Sequence, residues 1–130
     1  VSRFDKVDPF DGSFRAKLFA AIAAVDVGKI RAVSLNASGR VVIGGAGLVD
    51  IRGLIVPTEA MPAGAAIDVM TDGEIGDATE TAGTAFIAGT LVYCHIDGTV
   101  DDTAASGKPV GFTVELNRLI VRCSSALTAT

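Results

Sequence analysis

Tryptophan is absent, tyrosine and histidine occur once each, and aromatic residues make up only 5% of the 130 residues. With so few rings, the core must be filled by small branched side chains, which the 49% hydrophobic content, rich in Ala and Val, supplies. Two cysteines and one histidine fall short of the paired spacing of a zinc site or a redox motif. Basic residues are also in deficit, 11 against 15 acidic, for a net charge of -4. A groove that neutralises phosphates needs the opposite balance, so nucleic acid is not an expected partner.

Long apolar runs are missing as well. The stretch "LFAAIAAV", residues 18–25, is far too short to cross a bilayer. Asp5, Asp8 and Asp11 spoil the basic leader that a secretory signal requires, so the chain is expected to stay in the cytosol where it is made. At this length the expectation is one domain that buries enough surface to need no staples.

What remains reads as β structure. From residue 29 onward, short β-branched runs such as "KIRAVSL", "RVVI", "LVDIRGLIV", "AIDVM", "TLVYCHI", "PVGFTVEL" and "NRLIVRC" alternate with turns rich in Gly, Asn and Asp, the signature of an all-β sandwich or barrel. In "RLIVRC" the alternation sends Leu119, Val121 and Cys123 to one face, and Arg118, Ile120 and Arg122 to a wet one. In "AIDVM" Ile67 and Val69 oppose Asp68. Cys94 and Cys123 fall inside such runs and are expected to be core thiols, a disulfide requiring that their strands be neighbours.

The glycines of "RVVIGGAGLVDIRG" invite a dinucleotide reading. In the frame starting at Gly45 the third small residue is replaced by Asp50, and the segment beyond is β-branched and ends at Pro57, so no helix can present its N-terminus to a pyrophosphate. The stretch is read instead as two antiparallel strands joined by a glycine-rich turn.

Other reactive constellations are equally thin. His95 has only Asp97 near it on a strand, and no G-x-S-x-G elbow occurs. The carboxylates at Asp68, Asp72, Glu74 and Asp77, and at Asp97, Asp101 and Asp102, lack the alternation and closing Glu of a calcium loop and read as solvated turns. Lys108, in "SGKPVG", is the only lysine at a turn that could carry a prosthetic group, and Pro109 marks the start of the next strand. No catalytic residue, metal or cofactor is therefore expected, and no enzyme.

Residues 1–28 differ from residues 29–130. Four of the six phenylalanines, Phe4, Phe10, Phe14 and Phe19, lie in them, and such rings must cover a surface. Either they fold back onto the domain or they form an arm that grips a neighbour. Leu18, Ile22 and Val25 at helical spacing, among alanines, predict a short helix near 16–25. Charge is also uneven: residues 1–58 carry eight basic and five acidic side chains, residues 59–130 three and ten, a division that could steer docking.

The order of segments "GKIRAVSLNASGRVVIGGAG", "IRGLIVP", "PAGAAIDVMTDGEI", "AGTLVYCHIDGTV" and "GKPVGFTVELNRLIVRC", behind a leading "RFDKVDPFDGSFRA", resembles the capsid decoration (cement) proteins of tailed bacteriophages, particularly those infecting actinobacteria. The resemblance covers about residues 28–123. It implies a small β-barrel or β-tulip-like domain with an extended N-terminal arm, forming a homotrimer at threefold and quasi-threefold positions on the outer capsid surface of the virion. It further implies that the protein is made in the host bacterial cytoplasm and cements the major capsid protein lattice against internal DNA pressure. Arg3, Phe4, Lys6, Phe10, Phe14 and Arg15 would be the capsid-binding residues of the arm. A small β-barrel that binds a ligand or carries a prosthetic group is the alternative.

Overall fold

A computed structural model describes residues 2–7, 12–115 and 117–123. The chain is all-β: β1 (Arg3–Val7), β2 (Ser13–Lys17), β3 (Arg31–Leu35), β4 (Val41–Ile43), β5 (Ile51–Ile55), β6 (Ala66–Met70), β7 (Asp72–Gly76), β8 (Leu91–Cys94), β9 (Val100–Asp101), β10 (Lys108–Glu115) and β11 (Arg118–Arg122). They form a six-stranded sheet in the order β1-β7-β11-β10-β8-β9, curled into a half-barrel, and a five-stranded sheet in the order β2-β6-β5-β3-β4. All pairings between these strands are antiparallel.

The main core lies between the sheets. Ala32, Leu54 and Met70 of the five-stranded sheet meet Ile75, Val92, Val110, Leu119 and Val121 of the six-stranded one, with Phe86 fully buried among them. Thr81 ties the layers together: its hydroxyl donates to the Ile30 carbonyl (2.6 Å) and accepts from the Val100 N–H (2.8 Å). The neighbours of those core residues point the other way. Val33, Ile55 and Val69 form a second core on the outer face of the five-stranded sheet, together with Leu18, Ile22, Val41 and Ile67. Strand alternation has thus been used twice, and this sheet is buried on both faces.

That second core explains why no helix forms near 16–25. Residues 13–17 are strand β2, Leu18 and Ile22 make isolated bridges to Val41 and Met61, and only Ala24–Asp26 form a single 3-10 turn. The backbone donates sideways rather than along itself, from Leu18 to the Ala65 carbonyl (2.8 Å), Phe19 to Val41 (3.0 Å) and Ile22 to Met61 (2.8 Å). Leu18 and Ile22 are buried by this strap, whereas Val25, third in the helical spacing, is 68% exposed. Tertiary burial overrides a propensity worth tenths of a kcal/mol per residue.

The glycine-rich hairpin is also corrected. β4 and β5 do not pair; β3 lies between them and is antiparallel to both, so the two run parallel. The 44–50 connection carries the chain back along β3, from Gly44 beside Ala32 to Ile51 beside Ser34, instead of turning tightly. Gly44 (φ 79°) and Gly98 (φ 88°) meet there, and a side chain on Gly44 would fall 2.4 Å from the Ile96 carbonyl oxygen. Asp50 closes the 3-10 turn Leu48–Asp50 by accepting the Gly47 N–H (3.1 Å), which is the donor a bound phosphate would have required.

Ile67 and Val69 are buried opposite exposed Asp68, as their alternation predicts. In β11 the wet face is drier than expected: Ile120 is buried because Phe112 and Glu74 flank it on the adjoining strands. Cys94 and Cys123 are free thiols of the inter-sheet core. Strand β10 separates the strands that bring them in, so two strand spacings of about 5 Å each exceed the reach of a disulfide. Burial raises both thiols, Cys94 to about 11.

Candidate functional site

The N-terminal segment supplies an edge strand to each sheet: β1 pairs with β7, and β2 with β6 over five residues. Phe4 is half-buried against the inter-sheet core and Phe14 against the outer core, so these two rings cover separate cores of their own chain. Arg3 and Arg15 are exposed and form ion pairs with Asp77 and Asp68, the latter at 2.8 Å. The backbone of Lys6 sits opposite Glu74 in the β1–β7 register. Phe10 lies outside the described residues. Among the described residues, Arg3 and Phe4 lie on the edge of one sheet and Phe14 and Arg15 on the edge of the other.

A surface that sequence reasoning missed lies on the outer face of the six-stranded sheet. Leu91 of β8 and Phe112 of β10 are register partners, and Val114 follows Phe112 on the same face. They are 53%, 42% and 43% exposed. Buried Thr113, between Phe112 and Val114, points inward and fastens the 87–90 loop to β10, its hydroxyl donating to the Ile87 carbonyl (2.7 Å) and accepting the Thr90 N–H (3.0 Å). Val110 is buried and Phe112 is not, although they stand two residues apart. The irregularity between Pro109 and Gly111 slips the phase by one residue and turns Phe112 outward. Thr113 inside and apolar residues outside reverse the usual pattern, and the sequence carries no signal of it, since Val110, Phe112 and Val114 alternate there as one apolar face.

The polar cluster with most chemistry surrounds His95. Its Nε2 lies 2.7 Å from Asp101 Oδ1 and its Nδ1 lies 3.2 Å from the Ser106 carbonyl oxygen. Burial lowers the imidazole pKa, but the hydrogen bonds from Asp101 and Ser106 and the charges of Asp101 and Asp97 outweigh it and leave the group raised. The ring borders an open pocket of about 480 Å³ with Leu48, Ile96, Asp97 and Thr99. Asp97 is a turn cap that accepts the Thr99 hydroxyl (2.6 Å) and N–H (3.0 Å), and those bonds hold its carboxyl below the ordinary value. The pair Asp97 and His95 anticipated on one strand is thus a His95–Asp101 pair, formed because β8 and β9 fold together across the Gly98 turn.

Other carboxylates sit in ion pairs, Asp68 with Arg15 and Glu74 with Arg118. Among the described residues no group of three or more His, Cys, Asp or Glu is placed to hold a metal ion. Lys108 is not at a turn as a carrier lysine would be: it opens β10, is 3% exposed, and its Nζ donates to the Leu48 and Ile51 carbonyls (3.3 and 3.5 Å). The strand begins one residue before Pro109, and this draws the side chain inward.

No protein-family model matches the chain, and no curated protein does. A solved structure from Mycobacterium phage Patience shares the fold, with a TM-score of 0.81 over 93% of this chain and 95% of that one at 22% identity.

Proposed function

We propose that this chain is a structural protein of a phage virion that binds the outer surface of the icosahedral head as a trimer and cements the major capsid protein lattice against the pressure of packaged DNA. The observation that carries the reading is the likeness in fold to a phage protein along nearly the whole of both chains. The exposed strip Leu91, Phe112 and Val114 supports it, because neighbouring apolar side chains turned outward from a sheet suit a protein partner. In this reading three strips converge on the threefold axis, and trimerisation buries them.

Contact with the shell falls to the N-terminal edge strands. Phe4 and Phe14 hold those strands on the domain, and the exposed Arg3 and Arg15 face the capsid. Each contact is weak, but three on one trimer act at high effective concentration, so holding a lattice needs no strong single site. The test is co-sedimentation of the purified protein with undecorated heads of the phage that encodes it. Stoichiometric binding, weakened at least tenfold in an Arg3→Glu, Arg15→Glu variant, is expected; absence of binding by the wild-type protein would refute the reading.

A further inference from the structure

We infer that His95 is a proton-operated clasp that holds the loop between β9 and β10 in its observed conformation. The Ser106 carbonyl can only accept, so the bond at Nδ1 requires a proton there. The carboxylate oxygen of Asp101 accepts the Thr103 N–H (2.9 Å) as well as the contact from Nε2, which requires a proton on the second nitrogen. Only the imidazolium satisfies both partners at once. Neutral imidazole must release one, and the longer contact, to Ser106, is the weaker.

The loop has little else to hold it. Thr103 to Ser106 are exposed, and the Gly107 N–H to Ala104 carbonyl bond (3.0 Å) lies within the loop itself. Ser106 adopts φ 57°, a left-handed conformation that costs energy for a residue with a side chain and that the His95 contact helps to maintain. Gly107 lets the loop lie against the ring: a Cβ there would be 3.0 Å from His95 Cε1. The charges around the imidazole come from every neighbouring element: Asp97 on the β8–β9 turn, Asp101 in β9 and Asp102 just after it, Glu80 bonded to Asp102, Arg31 on β3 donating to the Asp97 and Gly98 carbonyls, and buried Lys108 at the start of β10. Carboxylates outnumber cations there, and Arg31 is already paired with Asp26 at 3.0 Å.

Because His95 is the only histidine, nitrogen NMR of the imidazole reads the clasp without ambiguity. Titrating the full chain is expected to show both nitrogens protonated at pH 6, a midpoint above the ordinary value of about 6.5, and amide shifts of Thr103 to Gly107 following the same midpoint. Asp101→Asn should lower the midpoint and uncouple those amides. A midpoint at or below the ordinary value in the wild-type protein, or loop amides that ignore the titration, would overturn the clasp even if the variant failed to fold.

Discussion

The two sheets treat their outer faces differently. The five-stranded sheet is covered on both sides, by the six-stranded sheet and by a strap carrying Leu18 and Ile22, whereas the six-stranded sheet leaves Leu91, Phe112 and Val114 exposed. One sheet is therefore scaffold throughout, and the other is scaffold on its inner face and available for contact on its outer face. In a chain with so few aromatic residues, a phenylalanine turned away from both cores, where it covers Ile120, is better explained by a partner than by folding.

Core substitutions should break the comparison most severely. Leu54→Ala, facing the inter-sheet core, and Leu18→Ala, holding the strap, remove fully buried side chains and should each cost about 3 kcal/mol in denaturant unfolding. Similar losses at the two sites would show that the strap is as much a part of the fold as the sheet interface. A negligible loss at Leu18 would show that the outer core is an accessory.

A pH effect comes next. The folded-state pKa of His95 is raised, so its contribution to stability is complete below the unfolded value of about 6.5 and is lost as pH climbs through the folded value. Thermal unfolding of wild type and His95→Gln should therefore differ at pH 6 and converge at high pH. Glu80 runs alongside it. Burial, a hydrogen bond with Asp102 and the charges of Asp102 and Asp101 raise its pKa, so ionising it at neutral pH opposes folding. Glu80→Gln should raise the melting temperature slightly at pH 7 and less at pH 4, and an unchanged difference across that range would contradict this.

The strand content and much of the core were legible in the sequence, because alternation in "AIDVM" depends only on neighbouring positions. What stayed hidden depends on distant segments. Nothing local shows that β3 slips between β4 and β5, or that an alanine-rich run lies flat beneath a sheet; both follow from where Val41, Met61 and Ala65 lie. His95 was visible, but its partner Asp101 comes from the next strand, at a distance set by the Gly98 turn. The outward turn of Phe112 was concealed by a bulge, which reverses faces without changing composition.

On stability, the strip itself should matter less than either core: Phe112→Ser removes a ring that is 42% exposed and uncovers part of Ile120, and should cost about 1–2 kcal/mol. Its effect on assembly should be large, and that contrast gives the most direct test. Light scattering on the purified protein should give the mass of a trimer for wild type and of a monomer for Phe112→Ser, with both chains folded. A wild-type protein that stays monomeric both in solution and on undecorated heads, or a Phe112→Ser variant that still forms the full trimer, would contradict the account.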